Sequence, residues 1–148
     1  MLKTIDPLLG PDLLHALAAM GHGDEIAIVD ANFPAAACAR RLLRAQGASA
    51  PQLLAAVLGL LPLDDFVDAP MATMEVVGAA AEVPAIVREF HVHAEHAESR
   101  ALPLASLPRD AFYVRAREAF AIVQTGEMRL YGNVLLRKGV VRPKEPHA

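Results

Sequence analysis

The sequence predicts an α/β fold, a single three-layer α/β/α domain with a mainly parallel central sheet. Helical stretches alternate with short aliphatic runs, the pattern of helices crossing over a parallel sheet. Runs such as Ile26-Ala27-Ile28-Val29 and Ala121-Ile122-Val123 are apolar at successive positions, as in strands covered on both faces. The chain has 148 residues, 54% of them hydrophobic, and no linker long enough to divide it. That suffices for one sizeable core.

The elements follow in order. Pro11 to Met20 reads as a helix, because proline suits a first turn and apolar positions recur at helical spacing. Gly21 reads as its left-handed stop. Glu25 to Val29 is a buried strand. Ala35 to Gln46 reads as a second helix, with Arg40, Arg41 and Arg44 on a solvated face and Gly47 as its end. Ser49 or Ala50 to Leu61 is a third, with Pro51 near its start. Met71 to Val77 reads as a strand closed by Gly78. Pro84 to Arg100 is the longest helix, Leu102 to Leu107 an extended piece, and Pro108 to Phe120 another helix. Ala121 to Gln124 and Asn133 to Arg137 are the last strands, joined through Thr125-Gly126-Glu127. The domain is expected over residues 1–140, and residues 141–148, with mixed charges and two prolines, form a loose C-terminal tail.

Composition narrows the function classes. A net charge of -3 gives no electrostatic case for nucleic acid. No apolar stretch reaches the roughly 18 residues of a membrane span. The longest, Leu53 to Leu63, is interrupted by Gly59 and Pro62. The start, Met1 to Pro7, carries an early acid and a proline and does not read as a signal peptide. Cys38 is the only cysteine, so a reducing cytoplasm is the expected compartment. Aromatics are 5%, tryptophan is absent and mean hydropathy is +0.31. So aliphatic a chain is expected to bury surface against copies of itself, as a homo-oligomer.

Most dense motifs have ordinary explanations. In His91-Val92-His93-Ala94-Glu95-His96, the pairs His93/His96 and His91/Glu95 face different directions on a helix, so they do not gather round one metal. A solvated helix face is the expected reading, and no metal site is assigned. Cys38, on an apolar stretch, reads as a buried structural thiol. Gly21-His22-Gly23 lacks the spacing of a phosphate loop. Asp64-Asp65, after a proline, reads as a solvated turn.

The segment Met20-Gly21-His22-Gly23-Asp24-Glu25, followed by a strand ending at Asp30, carries more chemistry. A glycine turn presents an imidazole, and a carboxylate sits where the strand stops. This arrangement can place both at one mouth of a sheet, a minimal acid–base pair for proton transfer. The plainer alternative is a helix cap, a turn and a second cap.

Together with later segments it carries a resemblance. The stretches are Met1-Leu2-Lys3-Thr4-Ile5, Met20 to Ile26, Asp30-Ala31 with Phe33-Pro34, Ala111-Phe112-Tyr113, Ala119 to Val123, Thr125-Gly126-Glu127, and Tyr131-Gly132-Asn133 with Leu135-Leu136. In this order the chain resembles the L-fucose mutarotase and D-ribose pyranase family, on its fucose branch. The match is poor from Gly78 to Pro108, and Asn32 stands where fucose-type members often have histidine.

The resemblance implies interconversion of the α and β anomers of a free monosaccharide, most simply L-fucose, with no cofactor. It implies His22 as the catalytic acid/base, an imidazole being suited to proton transfer near neutral pH. It implies that Asp30, Arg109, Tyr131, Gly132 and Asn133 hold sugar hydroxyls, and that the chain forms a homo-oligomer larger than a dimer with sites near subunit boundaries. A non-catalytic sugar-binding or regulatory subunit of the same fold is the alternative.

Overall fold

The protein was analysed as a computed structural model, which describes residues 1–146. Its core is a six-stranded sheet in the order β2-β5-β1-β6-β3-β4. The strands are β1 (Glu25–Val29), β2 (Leu42–Ala45), β3 (Met71–Met74), β4 (Ser106–Leu107), β5 (Ala121–Thr125) and β6 (Val134–Arg137). The β1–β5, β2–β5 and β3–β4 pairs are parallel, whereas β6 runs antiparallel to both its neighbours, β1 and β3. The mainly parallel α/β expectation is therefore met, with β6 as the reversed strand.

Five helices cover the two faces: α1 (Pro11–Ala19), α2 (Ala35–Cys38), α3 (Ala50–Leu58), α4 (Ala85–Glu98) and α5 (Arg109–Glu118). Alternation along each strand sorts the side chains between faces. Ile26 and Ile28 of β1 join Leu13 and Leu17 of α1, Leu53 and Leu54 of α3, and Phe90 of α4 in one core layer. Ala27 and Val29 join Cys38 of α2 and Phe112 and Ala116 of α5 in the other. The strands read as continuous apolar runs because both faces are covered.

Three local expectations are corrected. Ala35 to Gln46 is not one helix: α2 ends at Cys38, and Leu42–Ala45 is the edge strand β2. Leu42 and Leu43 pair with β5, and that sheet contact overrides the helix propensity of the alanines. Arg41 and Arg44 therefore flank a sheet edge, donating to the Phe120 carbonyl at 3.1 Å and to Gln124 Oε1 at 2.9 Å. Gly21 is not a left-handed cap either. The chain leaves α1 in extended conformation at Met20, and the positive φ falls at Gly23 (87°). Lys138 Nζ caps α1 instead, donating to the Leu17 and Met20 carbonyls at 2.7 and 2.5 Å. Finally, the strand expected to Val77 stops at Met74.

Along α4 the histidines are not uniformly solvated. His96 is exposed, but His91 is half-buried, with Nε2 3.1 Å from Glu95 and a buried Nδ1 that has no partner. Residues 141–146 form no regular element; the rest of the expected tail, 147–148, lies outside the described residues. Among the described residues no helix is long and apolar enough to cross a membrane.

Candidate active site

The first wall of the candidate site is built where β1 ends. Asp30 follows the last residue of β1 and is 4% exposed. Its Oδ1 accepts the Asn32 N–H at 3.0 Å, turning the chain away from the sheet. On the neighbouring strand, Asn133 immediately precedes β6, and its Oδ1 accepts the Asp30 N–H at 2.9 Å. The antiparallel β1–β6 register puts the end of one strand beside the start of the other. Burial pushes the Asp30 carboxyl up from its ordinary range, against the lowering effect of hydrogen bonds from Asn32, Asn133, Phe33 and Gly132.

Tyr131-Gly132-Asn133 has a demanding geometry. Tyr131 takes a left-handed backbone (φ 61°), and its hydroxyl accepts the Val77 N–H at 3.0 Å. Gly132 is buried, and a Cβ there would lie 2.9 Å from both Glu127 Cγ and Ile86 Cδ1. Only glycine fits under that turn. Arg109 opens α5 from the other side, its guanidinium 5.4 Å from the Tyr113 ring centre. The Tyr113 hydroxyl pushes the Arg109 value up, so it stays a cation.

These residues converge on a cleft of about 180 Å³. Asp30, Asn32, Arg109, Tyr131 and Asn133 supply polar groups, and Phe33, Met74, Val77, Tyr113 and Leu130 an apolar wall. The cleft lies outside the carboxyl ends of β1 and β3, where open α/β sheets place ligands. Its volume falls below the roughly 300 Å³ at which small-molecule sites usually begin. A larger groove of about 400 Å³ lies along the N-terminal segment, but it is walled by Met1, Leu2, Ile5, Leu9 and Leu14, with Asp6 as its one ionisable group. That lining does not suit a hydroxyl-rich ligand, so we place the site at the smaller cleft.

His22 is not in this cleft, contrary to the expectation that it shares one mouth of the sheet with Asp30. It precedes β1 while Asp30 follows it. The five residues of β1, at ~3.3 Å each, put about 16 Å between them. The imidazole has its own partners. Nε2 lies 3.0 Å from Asp64 Oδ1, and the His22 side chain remains 43% exposed. Asp64 is fully buried, not the solvated turn residue expected. Its Oδ1 also accepts the Phe66 N–H at 3.0 Å, and its Oδ2 accepts Arg137 Nε at 2.9 Å. Burial opposes ionisation of Asp64, but the hydrogen bonds from Phe66, Arg137 and His22 outweigh it and hold its carboxyl down at about 2. Phe66 lies with its ring 5.0 Å from the imidazole, though 66% exposed itself.

Asp64, Phe66 and Arg137 are thus the surroundings of His22 that sequence reasoning missed. Asp64 lies forty-two positions from His22, and no local pattern ties the two. The only available signal was an aspartate directly after the apolar Leu60-Leu61-Pro62-Leu63. Chemically, an ionised carboxylate on Nε2–H fixes the tautomer and leaves Nδ1 free to exchange a proton.

The fold and this geometry define a single-domain α/β protein with a small polar-lined cleft at one end of its sheet and a carboxylate-backed histidine at the other. The chain belongs to the RbsD / FucU transport protein family, whose sequence pattern matches residues 3–141. It is 48% identical over 147 residues to the fucose mutarotase of Homo sapiens, covering 95% of this chain and 94% of that one. It is 43% identical over 140 residues to the L-fucose mutarotase of Haemophilus influenzae, covering 95% and 97%. The crystal structure of the fucose mutarotase from Streptococcus pneumoniae in complex with L-fucose superposes with a TM-score of 0.89 at 43% identity, over 95% of this chain and all of that one.

Proposed function

We propose that this protein is an isomerase that interconverts the α and β anomers of a free monosaccharide, L-fucose, by general acid–base ring opening and closure. The observation that carries the reading is the gathering of Asp30, Arg109, Tyr131 and Asn133, from three separate segments, on one cleft. The chain that does this is 43% identical to a protein solved with L-fucose bound.

The reaction removes the proton of the anomeric hydroxyl and delivers one to the ring oxygen. The C1–O5 bond breaks to give the open aldehyde, and closure on its other face reverses both transfers. Nothing is oxidised or reduced and no covalent enzyme intermediate is needed. Asp30 accepts from neighbouring hydroxyls, Arg109 donates in a planar fork, and the Asn133 amide donates beside them. Tyr131 and Gly132 shape the floor. Phe33, Met74 and Leu130 offer apolar surface for the C–H face of the sugar. His22 moves the proton through Nδ1 while Asp64 holds the ring through Nε2. General acid–base help of ~10²–10⁴ with positioning is sufficient for a reaction that water already permits.

The separation of His22 from the cleft gives the assembly a function. In this reading the cleft of one protomer is completed by His22 of the partner subunit. The exposed Phe66 beside His22 and the exposed Val77 and Leu130 beside Asp30 support this. This reading expects a homo-oligomer larger than a dimer, in which head-to-tail contacts between the two ends of the sheet close into a ring. The lone cysteine supports a cytoplasmic location.

The test is anomer-exchange NMR on L-fucose. Wild-type protein is expected to accelerate exchange, and D-ribose should exchange more slowly under matched conditions. His22→Ala should lose nearly all acceleration while circular dichroism stays unchanged, because truncating a part-exposed turn residue opens no core cavity. A folded wild type that binds L-fucose without accelerating exchange would identify a non-catalytic sugar-binding subunit instead.

A further inference from the structure

Glu127 is a buried carboxylate that the proposed proton transfers do not use, and it sits beneath the cleft. Its Oε1 accepts both the N–H and the Nε of Arg129 at 3.0 Å. Its Oε2 accepts the Ala50 N–H at 3.3 Å, at the first turn of α3. Its Cγ occupies the space a Cβ of Gly132 would need. The main chain of the same residue reaches the opposite wall. Its carbonyl accepts the Ala31 N–H at 2.8 Å. Its N–H donates to Thr125 Oγ1 at 3.2 Å, and that hydroxyl donates to the Val29 carbonyl at 2.8 Å. Glu127 therefore holds Ala31 directly and reaches Val29 only through Thr125, and it packs under the turn carrying Tyr131 and Asn133.

We propose that Glu127 is the positioning residue of the cleft, fixing Asp30 and Asn133 at the spacing that neighbouring sugar hydroxyls require. The proposal rests on the sugar-binding reading above. An ion-paired carboxylate in the interior adds little stability compared with apolar packing of the same volume, but it does impose one geometry. Here that geometry is shared by the two walls of the cleft. Arg129 links it outward to Glu89 of α4 at 2.8 Å, through a pair in which both side chains are almost half exposed.

Glu127→Gln keeps the size and removes the charge, turning an NH2 group toward the Arg129 donors. L-fucose affinity is expected to fall roughly tenfold, because small displacements of binding groups are costly. Exchange at saturating sugar should stay within about threefold of wild type, since the imidazole that completes the site is held by Asp64 and not by Glu127. In the sugar-free protein, the Ala31 amide should exchange hydrogen with solvent faster. A residue that merely supports the fold would lower the melting temperature and leave the affinity of the folded protein unchanged, and an affinity within twofold of wild type overturns the proposal. If Glu127→Gln does not fold, Arg129→Met carries the same test with the same two outcomes, from a side chain on the exposed flank. Glu89→Gln, which breaks only the outer pair, should leave affinity unchanged; an equal loss there would overturn the assignment to Glu127. Should wild type bind no L-fucose, the sugar reading fails separately and Ala31 exchange alone decides: faster exchange in Glu127→Gln upholds the anchor, unchanged exchange rejects it.

Discussion

Asp64 holds the His22 imidazole through Nε2 rather than leaving it a mobile surface ring. A carboxylate in this place must stay ionised to do so, and three hydrogen-bond donors keep it ionised despite burial. The pH dependence follows. Its folded value, about 2, lies below the ordinary 3.8, so ionised Asp64 stabilises the fold at neutral pH. That contribution is fully present above the ordinary value and is lost as pH falls from about 4 through 2. Asp64→Asn should therefore be less stable than wild type at pH 6, and the gap between their urea midpoints should close as the pH is lowered through this range. A gap independent of pH would contradict the ion-paired state. At neutral pH the same substitution should slow anomer exchange by at least tenfold, since an amide can turn its NH2 to the ring and no longer fixes the orientation and tautomer of the imidazole. Residue types were legible in the sequence where the motif was local, as with Asp30 and Asn133. Asp64 was not, because its partners come from 42 and 73 positions away and only the folded sheet joins them.

The elements explain why the cleft has its shape. β6 runs against its neighbours, and this reversal brings Asn133 to the carboxyl end of β1 and Arg137 to its amino end. One strand thus serves both half-sites, Asn133 holding Asp30 and Arg137 holding Asp64. The turn before β6 tolerates no side chain at Gly132. Gly132→Ala should cost about 1–3 kcal/mol of stability through overpacking against Ile86 and Glu127. It should also weaken L-fucose binding, as read by titration calorimetry beside thermal melts. A variant of wild-type stability and affinity would show that the turn is looser than its packing implies. At this scale the long amphipathic helices and the aliphatic strands were readable from periodicity. The β2 edge was not, since Leu42-Leu43-Arg44-Ala45 suits a helix equally well and is decided by pairing with β5. The ends of the sheet were also unreadable from local order. His22 and Asp30 are near in sequence, yet an intervening extended strand is the surest way to hold two residues apart.

At the scale of the whole molecule, His22 and Asp30 lie at opposite ends of β1 and cannot meet within one chain. The monomer also exposes apolar side chains beside each of them: Phe66 at the His22 end, and Val77 and Leu130 at the Asp30 end. Light scattering at micromolar concentration should therefore give a mass larger than a dimer, and a monomeric mass would reject the assembly. Family membership across residues 3–141 agrees with the ordered motifs in the sequence, but the separation of His22 from Asp30 is a property of the folded sheet. The most direct test combines two defective variants, His22→Ala, which keeps an intact cleft, and Asp30→Asn, which keeps an intact imidazole. Each alone should exchange L-fucose anomers poorly. Co-expressed in equal amounts, they should form mixed assemblies in which about a quarter of the sites pair a wild-type cleft with a wild-type histidine from its neighbour. Anomer-exchange NMR should then recover about that fraction of wild-type activity. Mixed assemblies no more active than the sum of the separate variants would show that His22 and Asp30 do not act across a subunit boundary, and would contradict this account of the site.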